Sequence, residues 1–119
     1  MNHRLRIAVA LMFAIGTAFI AQAHTTVRSS NPASGSVLTK SPPLFEIVFA
    51  ERVRLTSLIL VNSKGEKKLV FKPTTNGMKY TSAQPAFAIG RNEIRWTALA
   101  KDGHVIKGNI IIVMRPPPK

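Results

Sequence analysis

Three histidines and one aspartate occur in this 119-residue chain, and two of the histidines stand where chemistry could use them. Asp102 and His104 flank Gly103, a spacing that lets both side chains point the same way, as residues i and i+2 do on one strand face. His24 follows Ala21-Gln22-Ala23, the small-x-small pattern after which a signal peptidase cuts. The preceding residues complete that signature, with a basic start (His3, Arg4, Arg6) and an apolar run from Ile7 to Ala21. Cleavage after Ala23 would make His24 a chain terminus. Its free α-amine and its imidazole could then chelate one metal ion together.

The combined donor set is one amine nitrogen, two imidazole nitrogens and one carboxylate oxygen. Such donors in a tetragonal arrangement suit Cu(II), which also tops the Irving–Williams order. Zinc could take the same donors but prefers a tetrahedron. Cu(I) calls for soft sulfur, and the chain has no cysteine and, past residue 23, only Met78 and Met114, far apart. A plainer reading exists for each part. Asp-Gly is a common hairpin turn, and a histidine after it needs no function. Taken together, the two parts each supply what the other lacks. His24 would anchor the ion and His104 would add a third nitrogen. Asp102 would bind the ion itself or fix the geometry from just behind it. Both imidazoles must be neutral to bind, so affinity is expected to fall below about pH 6.5.

The elements that must position these groups read as strands. Removing 23 residues leaves 96, enough for one small domain, here 24–119. The apolar run of the leader is short of the ~20 residues that span a bilayer, so the processed protein is expected to be soluble. Without cysteine there is no lipid anchor, disulfide or thiolate site, and stability must come from an apolar core. Strands are expected at Thr25–Ser30, Leu44–Phe49, Leu55–Val61, Lys68–Phe71, Glu93–Leu99 and His104–Met114, with a weak one near Ala86–Ile89. Pro73–Lys79 reads as loop. No amphipathic helix stands out. The fold class is therefore all-β, a single antiparallel Greek-key sandwich, with Phe45, Phe49, Phe71, Phe87 and Trp96 as core aromatics.

The formal net charge is +12, and losing Arg4 and Arg6 with the leader leaves +10. A surface this basic attracts anionic lipid and polyanions. The lysines are spread along the whole chain, however, which reads as a solvated surface, and export removes most nucleic acid from reach.

At this point the chain resembles the CopC family of periplasmic copper-resistance proteins. The resemblance rests on His24, on Ser30-Asn31-Pro32-Ala33-Ser34-Gly35 with Leu38, and on Phe49-Ala50-Glu51-Arg52-Val53. Its most specific part is Trp96, then Lys101-Asp102-Gly103-His104, Gly108 and the apolar strand to Val113. It implies a cupredoxin-like sandwich binding Cu(II) through His24, Asp102 and His104. It also implies a periplasmic protein that captures, buffers or delivers copper, with an inner-membrane importer of the CopD type as partner. Two departures are visible. Thr26 stands where many members carry a second histidine, and the methionine-rich Cu(I) segment is missing, so a Cu(II)-only member is expected. Two other classes fit less well. A copper-dependent polysaccharide monooxygenase would share the terminal histidine but needs a flat, often aromatic face, and this chain has one Trp and one Tyr, Tyr80. A metal-free adhesion module would leave the histidines without a role. No nucleophile–base–acid set points to hydrolysis, so no enzyme is expected.

Overall fold

The structure, a computed structural model, describes residues 26–119, which form strands and no helix. In chain order these are β1 (Val27–Asn31), β2 (Ser36–Leu38), β3 (Leu44–Asn62), β4 (Gly65–Lys68), β5 (Gly77–Ala83), β6 (Gly90–Leu99) and β7 (Val105–Met114). Residues 1–23, expected as a leader, lie outside the described residues, as do His24 and Thr25.

β3 organises the rest. Its 19 residues contain neither Gly nor Pro, and Phe45, Ile47, Phe49, Val53, Leu55, Leu58 and Leu60 all turn into the core. The two strands expected at Leu44–Phe49 and Leu55–Val61 are thus one. Nothing between them can stop an extended chain; Ala50-Glu51-Arg52 is merely exposed. The N-terminal half of β3 lies between β1 and β5. Its C-terminal half lies between β4 and β6, in a layer continued by β7 and β2. Register shifts between Val48 and Val53 and between Leu55 and Ser57 mark where the strand passes from one layer to the other.

Other expectations need correction. Residues 77–83 form β5, although Gly77 to Lys79 read as loop. Tyr80 and Ser82 alternate inward there, and Lys79 pairs across the strands with Glu46 at 2.9 Å. Ala86–Ile89 is not a strand. Gln84 and Ala86 on either side of Pro85 have positive φ (49° and 56°), and buried Asn92 grips the Ala88 N–H and C=O through its side chain. The strand expected at Lys68–Phe71 ends at Lys68, as β4. β2 runs parallel to β7, so the sandwich is antiparallel except at that edge.

Phe45, Phe49, Phe87 and Trp96 are buried as expected, and half-buried Phe71 packs against them. Tyr80 joins them. Edge-to-face contacts run Phe71–Tyr80–Phe49–Trp96 with centroid separations of 6.0, 6.0 and 5.2 Å. The registers Val53↔Gly77 and Arg54↔Leu99 bring the start of β5 and the β6–β7 turn to the same end of the sandwich. Thr26 arrives there too, because its carbonyl accepts a hydrogen bond from the Ala50 N–H at 2.8 Å.

Candidate metal centre

The β6–β7 connection is a tight turn. Ala100 N–H donates to the His104 carbonyl and Gly103 N–H to the Ala100 carbonyl, both at 2.9 Å. Gly103 sits at φ +91°, a conformation that a Cβ would strain, and this bends the chain between the two candidate ligands. Asp102 and His104 are therefore brought together by a turn, not by a strand face, since β7 begins only at Val105.

One Asp102 carboxylate serves both ends of its neighbour. Oδ1 accepts the His104 backbone N–H at 3.1 Å, and Oδ2 stands 2.8 Å from His104 Nδ1. These bonds, the backbone one first and the side-chain one next, hold the Asp102 carboxyl below its ordinary range. An ionised carboxylate only accepts, so Nδ1 donates to it, and in the neutral ring the lone pair is then on Nε2. Both side chains are solvent-exposed (65% and 81%). A carboxylate on one ring nitrogen and a free lone pair on the other is how metal-binding imidazoles are commonly held.

The pair is short of donors by itself. Among the described residues no group of three or more His, Cys, Asp or Glu could hold a metal ion. Glu51, for which the sequence suggests no role, lines a cleft of about 160 Å³ with Thr26, Ala100, Lys101 and Ile106. That cleft sets the first described residue against the base of the turn. Of the three sequence-derived ligands, Asp102 and His104 are thus brought together and His24 lies outside the described residues.

The CopC domain profile matches residues 27–112. The chain belongs to the CopC family. CopC-family proteins are periplasmic copper-resistance proteins rather than enzymes, and this chain's function is accordingly copper-related. Solved structures agree on the fold. CopC from Methylosinus trichosporium OB3b superposes with a TM-score of 0.65 at 22% identity, covering 81% of this chain and 98% of that one. PcoC, a copper resistance protein from Escherichia coli, gives 0.57 at 18% identity in its selenomethionine form, over 76% of this chain and 100% of that one. A second PcoC structure, described as methionine-rich, gives 0.55 at 22% identity over 78% and 100%. No curated protein sequence matches the chain. Family membership sets aside the monooxygenase and adhesion readings.

Sulfur is sparse on this CopC-family chain. Met114 is packed in the core at the far end of β7, and Met78 is about one-third exposed on β5. The described residues therefore offer no thioether cluster for Cu(I).

Proposed function

We propose that the chain, processed after Ala23 to leave the domain 24–119, binds Cu(II) in the periplasm and buffers it or passes it on. The α-amine and imidazole of His24 anchor the ion, His104 Nε2 supplies a further nitrogen, and Asp102 orients the His104 ring or adds an oxygen. The observation that carries this reading is the exposed imidazole held by Asp102 at 2.8 Å, with Nε2 left free. Three facts support the role of His24. The turn needs further donors. Thr26 lies against its base. The two-residue step back to His24 spans at most about 7 Å. The nitrogen-and-oxygen chemistry favours Cu(II) as cargo over Cu(I). An inner-membrane importer of the CopD type is the partner we assign to it.

The test is a Cu(II) titration of two proteins, one beginning at His24 and one with a single extra residue ahead of it. Blocking the amine as a peptide bond should weaken binding at least tenfold. Equal affinity would refute the terminal chelate. An EPR spectrum of the first protein should show tetragonal Cu(II) with nitrogen ligands.

A further inference from the structure

The turn that carries Asp102 and His104 has a second neighbour. A pocket of about 390 Å³ opens beside it, walled by Arg52, Val53, Arg54, Asn76, Leu99 and the Ala100–Lys101 step, with Gly103 at its edge. Arg52 and Arg54 are residues i and i+2 of β3 and share its outer face, with buried Val53 between them. Lys101 joins them from the turn because Arg54 pairs with Leu99 across the β3–β6 ladder. Three cations thus face one concavity.

None of them has a carboxylate. The ion pairs among the described residues are Lys79–Glu46, Arg91–Glu93, Arg95–Glu93 and His104–Asp102. Arg52 makes one long contact, from Nη2 to the Asn76 carbonyl at 3.4 Å, and among the described residues Arg54 and Lys101 make no side-chain hydrogen bond. Among the described residues only Glu46 and Glu93 pair with lysine or arginine, and Glu51 and Glu66 make no ion pair. Many lysines and arginines are likewise unpaired, but here, beside the candidate metal turn, three of them line one concavity whose wall holds no carboxylate. Such a patch steers and orients an oppositely charged surface, and guanidinium groups prefer planar carboxylates.

We propose that this pocket is the docking point for an acidic segment of a protein partner, whose carboxylates seat between Arg52, Arg54 and Lys101 while copper is exchanged at the adjoining turn. The proposal rests on the copper-carrying reading of Asp102 and His104, but its test does not. A partner that must meet an exposed turn needs a grip beside that turn, and this is the basic cluster in contact with it.

The probe is a fluorescein-labelled hexaglutamate peptide, followed by anisotropy against the processed protein in low salt. The Arg52→Gln/Arg54→Gln/Lys101→Gln variant should bind it at least tenfold more weakly, and the single Arg54→Gln variant should show part of that loss. A control, Lys64→Gln/Lys67→Gln/Lys68→Gln, removes the same charge around β4 and should lose less than threefold. All six side chains replaced in the two triple variants are exposed, and circular dichroism checks each fold. Equal losses in the two triple variants would overturn the proposal, since only net charge would then matter. Failure of the unaltered protein to bind the peptide would overturn it too, as would displacement of the peptide by inorganic phosphate at equal concentration, which would mark a small-anion site. Cu(II) titration of the pocket variant separates the two readings. Intact copper affinity with lost peptide binding supports docking, whereas copper binding that fails in the unaltered protein while the peptide still binds would refute the copper site and leave the pocket standing.

Discussion

At the scale of single residues, Asp102 is the side chain whose role is most sharply set by geometry. Its two oxygens hold the backbone and the ring of the same histidine, and those bonds favour its ionised form. The sign follows directly: a carboxyl held below its usual range keeps its charge on acidification longer than a free one. Protons that compete with copper near neutrality therefore go to imidazole and amine nitrogens, whose ordinary ranges lie near about 6.5 and 8. Copper affinity should rise from pH 6 to pH 8. Asp102→Asn should lower it by about 10–100-fold, as loss of a ligand-orienting carboxylate does. Competition titrations with a chelator of known strength would measure it, and an unchanged affinity in Asp102→Asn would show that the carboxylate neither holds the ring for copper nor binds the ion. This pair was legible in the sequence because a contact between residues i and i+2 is encoded by its own turn. The Arg52–Arg54–Lys101 cluster was not, since it exists only through the pairing of β3 with β6.

At the scale of elements, two contacts fix how the strands present that end of the molecule. Gly108 faces Trp96 across the β6–β7 ladder, and a Cβ built there would lie 2.7 Å from Trp96 Cζ2 and 2.9 Å from Cε2. Gly108→Ala must push the indole out of its edge-to-face contact with Phe49 or spread the two strands. Such overpacking costs about 1–3 kcal/mol, which is a fall in Tm of at least about 4 °C for a domain of this size. Calorimetry reads the fall and fluorescence of the one tryptophan reports the displacement; an unchanged Tm with an unshifted emission maximum would show that the ladder absorbs the methyl freely. Tyr80 does the complementary work. Its hydroxyl reaches the Val53 and Thr75 carbonyls at 2.7 Å and accepts the Leu55 N–H at 3.3 Å, pinning the crossover of β3 to β5 and to the loop before it. Tyr80→Phe leaves buried groups unpaired, at a cost of about 1–3 kcal/mol, and urea unfolding with an unchanged slope would establish it. The pattern Gly77-Met78-Lys79-Tyr80 hid this strand because one half-exposed pair and a glycine precede the first inward residue. Only the partner strand β3, with Val48 opposite Lys79 and Glu46 reaching Lys79 on the diagonal, makes it extended. By contrast β6 and β7 alternate cleanly, and β7 was readable to within a residue, although β6 starts at Gly90, three residues before the expected Glu93.

At the scale of the whole molecule, the sandwich contains no disulfide, and a ligand that binds only the folded state adds to its stability. The donors proposed for Cu(II) come from opposite ends of the sequence, one before β1 and two between β6 and β7, and an unfolded chain does not hold them together. Copper should therefore act as a staple on the fold. At free Cu(II) 1,000 times the dissociation constant, the gain is about 4 kcal/mol, which raises Tm by more than about 10 °C for a domain of this length. The same ion added to His104→Ala should give a much smaller rise, and so should copper added to a chain that keeps residues 1–23, where the His24 amine is tied in a peptide bond. Zinc at the same concentration should stabilise less than copper, as its place in the affinity order requires. Differential scanning fluorimetry across these four conditions decides the matter. Equal shifts with and without the leader would show that the ion is held by the turn and by surface groups alone, and the two distant parts of the chain would then share no metal.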